Sequence, residues 1–294
     1  MNDANGGLKA VLAAAGGATL LGLSPIFVRL SELGPQATNF WRFALALPIL
    51  AVWATLSGAE RGGSIRQISW LLLAGLFFGA EVGLWAAALD FTTVANATLL
   101  SNMTPIFAAA FGFLLFKERL QTGIWIGGGL ALLGALTLSI ARARAGAGPT
   151  PELGWLGDTM GLVSATGYAA YLLIVRSLAA RVSTGAVMLW ATLAAMLFAI
   201  GASVVMGESF LPTTWQGWLP LIGLGLIVQA AAQGLIAYGV GRLPIVVSTI
   251  LLWMQPLSAA VMSWIFFGEA LGPLALFGAG LILFGVFLVQ RARQ

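Results

Sequence analysis

Ten long apolar runs, separated by short polar breaks, set the pattern of this chain. They are Leu8–Leu30, Ala37–Ser57, Ile68–Leu89, Thr92–Phe116, Thr122–Ile140, Trp155–Val175, Thr184–Met206, Trp215–Tyr238, Ile245–Phe267 and Pro273–Val289. Each approaches or exceeds the ~20 residues that a helix needs to cross a bilayer. The breaks carry helix-stopping or charged residues: Leu33-Gly34-Pro35, the stretch from Glu60 to Arg66, Lys117-Glu118-Arg119, and Gly272-Pro273. The longest connection, Arg142 to Gly154, falls at the midpoint. It predicts two five-span halves, 1–141 and 155–294, joined by a linker over 142–154. The first run carries Lys9 at its start but is too long for the apolar core of a signal peptide, and it has a counterpart in the second half, so it is expected to be a true span.

Composition agrees with an all-α membrane protein. Of 294 residues, 60% are hydrophobic and 8% charged, against roughly 25% charged in a soluble domain. There is no His and no Cys, which excludes His-based acid–base catalysis, thiol nucleophiles, disulfides and the usual zinc sites. No pair of ionisable residues is spaced for catalysis and no phosphate-binding loop is present. Neither an enzyme nor a bound metal or cofactor is expected. The net charge of +4 fits cytoplasmic loops in a bilayer better than a nucleic-acid partner. With the N-terminus inside, Lys9, Arg61, Arg66, Lys117, Arg119, Arg176, Arg181, Arg242, Arg291 and Arg293 lie on the cytoplasmic side. Only Arg29, Arg142 and Arg144 then lie outside. Both termini are therefore predicted to be cytoplasmic.

The second half repeats the first. A shift of 151 residues lays Leu100 on Leu251, Pro105 on Pro256, Phe116 on Phe267 and Glu118 on Glu269. It also lays Gly127, Gly129 and Gly134 on Gly278, Gly280 and Gly285. A shift of 147 pairs Thr19 with Thr166, Val28 with Val175 and Arg29 with Arg176. Five spans per half is an odd number, so the halves enter the membrane in opposite directions. Inverted repeats are the common architecture of secondary transporters, because they supply two exchangeable gates.

The Ser24-Pro25-Ile26-Phe27-Val28-Arg29 stretch, the Arg42-Phe43 pair and the doubled Pro…Glu…Gly-rich motif resemble the drug/metabolite transporter superfamily. Within it, the chain is similar to the ten-span EamA family, which includes the YddG-type amino acid exporters. The resemblance covers nearly the whole chain. It implies a basket of ten helices around a central cavity, a small-molecule substrate, and a bacterial inner membrane. Other members move drugs or sugar derivatives.

Polar positions inside the runs select the helices that line a path. Thr98, Ser101, Asn102 and Pro105 recur on one helical face of the fourth span, Gln229 and Gln233 on the eighth, and Ser164, Tyr168 and Tyr171 on the sixth. The third span groups Phe78, Glu81 and Trp85, and the ninth supplies Trp253 and Gln255. Under the 151 shift, Phe78 corresponds to Gln229 and Val82 to Gln233, which predicts opposite walls of one cavity. Interhelical hydrogen bonding is the alternative for each polar side chain. The fifth and tenth spans are almost free of polar groups and rich in glycine. Their small residues suit either bracing within the bundle or a homodimer contact.

Few charges fall within the spans. Glu81, among Phe77, Phe78, Leu84 and Trp85, suits a site for proton coupling or for a substrate amine, with a structural carboxylate paired to Arg42 as the alternative. Arg42 is expected to snorkel outward and act structurally or in gating rather than in direct substrate binding. Glu118 and Glu269 complement helix N-termini. Pro105 and Pro256 suggest hinges at matching places. Together these features predict a secondary transporter that exports small metabolites, with neutral or aromatic amino acids favoured by a wall of rings and amides. A proton-coupled exporter of drugs or organic cations is the alternative. A non-transporting scaffold and a uniform pore rank lower.

Overall fold

The computed structural model describes residues 2–57, 64–88, 91, 100–117, 121–145, 154–268 and 272–292. Among them all regular structure is helical. The first span comprises Asn2–Leu21 and Ser24–Leu30, the second Pro35–Leu56, the third Ile65–Ala88, the described part of the fourth Thr104–Phe116, and the fifth Thr122–Ala145. The sixth is Gly154–Leu178 and the seventh Thr184–Met206. The eighth runs from Trp218 to Val240, the ninth joins Ile245–Leu251 to Met254–Phe267, and the tenth is Pro273–Arg291. Seven of these are long and apolar enough to cross a membrane outright, and three shorter apolar helices, Thr104–Leu115, Thr122–Thr137 and Leu276–Val289, complete the set. Thr98, Glu118 and Glu269 lie outside the described residues.

Four helix starts, Thr122, Thr184, Ile245 and Pro273, fall where the apolar pattern puts them. Ser183 caps the seventh span, its side chain accepting from the Ala186 N–H, as a serine at that position should. The eighth span differs from expectation: it begins at Trp218 rather than Trp215, because residues 207–217 form a loop.

The glycines of the fifth and tenth spans establish how the halves relate. A Cβ added to Gly127 would lie 2.6 Å from the Gly285 carbonyl, and one added to Gly134 would lie 2.6 Å from the Gly278 carbonyl. Gly278 and Gly285 are the 151-shifted images of Gly127 and Gly134, so each glycine meets the image of the other. That reciprocity is the signature of a two-fold relation. Further along, Gly123 faces Ala292, so the two helices run antiparallel. The second and seventh spans also pair antiparallel, with Gly185 against Ala54 at one end and Glu208 against Ala37 at the other. The inversion inferred from counting spans is thus visible in the packing. These glycines serve contact within the chain; Gly129 and Gly280 have open space around them.

The repeat extends to irregularities. The fourth span is interrupted at Asn102-Met103 and the ninth at Leu252-Trp253. Each interruption has i→i−3 hydrogen bonds, Met103 N–H to Leu100 O and Trp253 N–H to Ile250 O, both 3.1 Å. Pro105 and Pro256 follow, where the missing N–H and the ring prevent a continuous helix. Lys117 and Gly268, again 151 apart, end these spans with φ of 54° and 66°. Two departures are not repeated. The first span breaks at Gly22-Leu23 ahead of Pro25, while the sixth is continuous. The eighth contains a π-helix, Leu224–Ala232, where the third is regular α-helix.

The close approach of the fifth and tenth spans predicts that Gly127→Leu destabilises the protein by ~1–3 kcal/mol. Gly129→Leu, placed in open space, should change little. Thermal unfolding in detergent micelles checks the pair: the melting temperature should fall for the first variant only.

Candidate functional site

A cation in the second span organises the middle of the bundle. Arg42 follows Gln36, Ala37, Thr38 and Asn39 on a helix with no acidic residue of its own, and only 4% of its surface is exposed. Isolated in such surroundings, a guanidinium would be costly. Its neighbours compensate. Arg42 Nε donates to Gln229 Oε1 at 3.0 Å, and Gln229 Nε2 donates to Thr192 Oγ1 at 3.0 Å. The guanidinium carbon lies 5.6 Å from the Phe78 ring centre and 5.7 Å from that of Phe43, within cation–π range. Glu81 supplies an opposite charge that acts on Arg42. The π-helix carries Gln229 to this point, a common use of such distortions. Gly225 in the same segment lets the eighth span approach the second, since a Cβ there would meet Leu45 Cβ at 2.7 Å.

An aromatic shelf adjoins the cation. Phe78 stacks on Tyr171 with ring centres 4.9 Å apart, and Tyr171 stacks on Tyr168 at 5.8 Å. The Tyr168 hydroxyl donates to Gln233 Oε1 at 3.4 Å, which ties the sixth span to the eighth. Glu81 is half-buried against the sixth span: a Cβ on Gly167 would come 3.5 Å from the Glu81 Cβ. Wholly buried Ser164 stands beside its carboxylate. The spacing Ser164, Tyr168, Tyr171 therefore makes one face, as its period predicts.

Phe78, Glu81, Tyr168, Tyr171, Gln229 and Gln233 pack together in one cluster. Arg42 joins them, which corrects the expectation that it snorkels outward; the aromatic and amide partners satisfy it inside. Phe78 and Gln229, images of each other under the 151 shift, flank the guanidinium. Asn102 and Trp253 form a separate contact at the two helix interruptions, Trp253 Nε1 donating to the Asn102 carbonyl at 3.1 Å. The Asn102 side-chain nitrogen is buried without a hydrogen-bond partner. Pro105 and Pro256 are buried at the same interruptions, and Trp85 is half-buried one turn beyond Glu81. Thr192 and Phe43 were missed. Thr192 sits in an apolar run with no polar neighbour to give it a periodic signal.

One end of the bundle is latched by two acids absent from the sequence reading. Glu32 accepts from the Thr213 N–H at 2.8 Å, the Thr213 hydroxyl at 2.7 Å, the Thr214 N–H at 3.1 Å, and the Thr214 hydroxyl. Glu208 Oε2 accepts from the Ala37 N–H at 2.6 Å, at the start of the second span. Trp41 Nε1 donates to the Phe210 carbonyl, and its ring meets Trp218 edge-on at 4.6 Å. The Thr214 hydroxyl, followed by that of Thr213 and the Thr214 amide, holds the Glu32 carboxyl down at about 2, against an ordinary 4.5.

A bundle of inverted helical repeats with polar groups gathered in its interior is the architecture of a multi-pass membrane transporter. The EamA-like transporter family model matches residues 8–140 and 155–291, and the chain belongs to that family. A "Probable terminal-alkyne amino-acid exporter" of Streptantibioticus cattleyicolor is 25% identical over 270 residues, covering 90% of this chain and 87% of that protein. An "Uncharacterized transporter" of Archaeoglobus fulgidus is 27% identical, with 75% and 76% covered. The "Uncharacterized transporter YwfM" of Bacillus subtilis is 25% identical, with 83% and 79% covered. A solved crystal structure shares the fold with a TM-score of 0.82 over 97% of both chains, at 21% identity.

The depressed Glu32 acidity fixes the pH window of the latch. A carboxyl with a lowered folded pKa contributes fully above its unfolded value, so the contribution persists above pH 4.5 and fades as pH falls toward 2. Hydrogen exchange at the Thr213 and Thr214 amides should be protected at pH 7 and rise about tenfold in Glu32→Ala, for the loss of charge-assisted bonds. Unchanged protection in that variant would show that the latch does not hold the loop.

Proposed function

We propose that the protein exports neutral or aromatic amino acids across the bacterial inner membrane by alternating access. The observation that carries this reading is the juxtaposition of Arg42, Glu81 and the Phe78–Tyr171–Tyr168 stack in one buried cluster. A zwitterion with an apolar side chain needs a cation for its carboxylate, an anion or amide for its ammonium group, and a surface for its side chain. The cluster holds all three. Arg42 and Gln229 take the carboxylate, Glu81 takes the ammonium group with help from Ser164, and the rings take the side chain. Arg42 thereby gains a binding role in place of the structural or gating one that its sequence position suggests. The similarity to a named amino-acid exporter of Streptantibioticus supports the same substrate class.

The orientation with both termini cytoplasmic puts the Glu32 and Glu208 latches on the outer face. Release of these contacts would open the path outward, while Asn102 and Trp253, at the interruptions ahead of Pro105 and Pro256, form the pivot. The alternative substrate, an organic cation exchanged for protons at Glu81, is disfavoured by the Arg42 guanidinium in the same cluster, which would repel it.

Counterflow in proteoliposomes tests the reading. Vesicles loaded with unlabelled phenylalanine should accumulate labelled phenylalanine from outside, saturably. Arg42→Gln should raise the KM for phenylalanine by at least tenfold, the effect of losing a charged hydrogen-bond partner of ~1.5–3 kcal/mol, and should raise rather than lower any weak exchange of phenethylamine, a cation without the carboxylate that the guanidinium repels. Accumulation of organic cations but of no amino acid would overturn the proposal in favour of the alternative. Flux without saturation or counterflow would indicate a pore.

A further inference from the structure

A cleft lies apart from the central cluster, between the third, fourth and sixth spans. Its volume is about 670 Å³, within the roughly 300–1,000 Å³ usual for ligand sites. Leu173 and Leu178 of the sixth span form its buried floor, and Trp70 and Leu115 its walls. None of its lining side chains belongs to the Arg42 cluster. The walls are open: Trp70 is 46% exposed and Leu115 67%. The cleft therefore opens sideways between the third and fourth spans, toward the lipid phase, rather than inward to the axis.

Two cations stand over this apolar trough. Arg66 is the second residue of the third span, and Arg181 lies three residues beyond the end of the sixth. Both are exposed. Span ends of this kind sit at headgroup depth. No acidic side chain is among the described residues that line the cleft, so the pair has a net charge of +2 there. Ser64 and Gln67 close the start of the third span with reciprocal bonds, the Ser64 N–H to Gln67 Oε1 at 3.2 Å and the Gln67 N–H to Ser64 Oγ at 3.3 Å. This arrangement fixes the helix end that presents Arg66.

We infer that this cleft binds one anionic phospholipid, with its phosphate between Arg66 and Arg181 and an acyl chain along Trp70, Leu115 and the leucine floor. The chemistry selects this occupant over others. A free anion would leave the exposed apolar walls unused, and a zwitterionic lipid would bring its own cation against the two arginines. An amino acid on its way to the central cluster would gain nothing from a trough that opens into the bilayer. The inference stands independently of the transported substrate.

Trp70 provides the test. The intact protein is reconstituted in phosphatidylcholine that contains a small fraction of brominated phosphatidylglycerol or, in parallel, brominated phosphatidylcholine. The Trp70 contribution to quenching is obtained by difference against Trp70→Phe. Quenching by phosphatidylglycerol should saturate at low membrane fraction, with an apparent affinity about tenfold above that of phosphatidylcholine, the scale expected for two arginines at a membrane surface. Arg66→Gln combined with Arg181→Gln should abolish the preference. Retention of phosphatidylglycerol counted by native mass spectrometry gives the same comparison without relying on Trp70. Equal quenching by both lipids, or a preference that survives the double substitution, would overturn the inference. So would displacement of the brominated lipid by a transported amino acid, which would make the cleft part of the substrate path.

Discussion

A guanidinium with 4% exposure, enclosed by helices that themselves lie in lipid, cannot rely on water for its partners. Much of the central architecture follows from that constraint. Gln229 must reach Arg42 with its oxygen, which orients its nitrogen toward Thr192 and so links the second, eighth and seventh spans in one chain of bonds. The π-helix gives Gln229 its position. Phe78 and Phe43, with ring centres 5.7 Å apart, lie side by side against the guanidinium, and stacking continues from Phe78 through Tyr171 to Tyr168. In hydrocarbon, a partly satisfied network of this kind is costlier than none, so its parts are coupled: loss of one exposes the others.

The second constraint is the inverted repeat itself. Glycines let the fifth and tenth spans meet backbone to backbone, which holds the two halves in register without polar groups. Symmetry is then relaxed where the charged cluster needs it. The third span offers a ring, Phe78, at the position where the eighth offers an amide, Gln229. Two symmetric rings would leave the guanidinium without its amide acceptor, and two amides would remove the ring that stacks on Tyr171. The first span is broken ahead of Pro25 while the sixth, which carries both tyrosines, stays continuous and keeps them at one-turn spacing.

Much of the frame was legible in the sequence, because in lipid the apolar run is the helix. The starts at Thr122, Thr184, Ile245 and Pro273 needed only the chemistry of breaks, and the 151-residue shift anticipated the paired interruptions at Pro105 and Pro256. The faces holding Phe78 with Glu81, Tyr168 with Tyr171, and Gln229 with Gln233 were legible through helical period alone. Other features were not. A π-helix has the same apolar composition as an α-helix, so Leu224–Ala232 gave no sign of itself. Arg42 reads as a cation near a span end, and only the packing of the third and eighth spans around it turns it inward. Glu32 finds Thr213 and Thr214 about 180 residues away, a pairing that no local pattern encodes.

The hydrogen bond from Trp253 to the Asn102 carbonyl has an unusual geometry: each residue is the other's image under the repeat. A position that touches its own image lies on the pseudo-two-fold axis, the one line left in place when two halves trade conformations. Were the residues identical, inward- and outward-open forms would be degenerate at this point. An indole and an amide are not interchangeable, so the trade would turn Trp253 from donor to acceptor and hand the donor role to the unpartnered Asn102 nitrogen. If the protein works by alternating access, as proposed above, the two forms would differ in energy at this pair, which would bias the equilibrium between them before any solute binds.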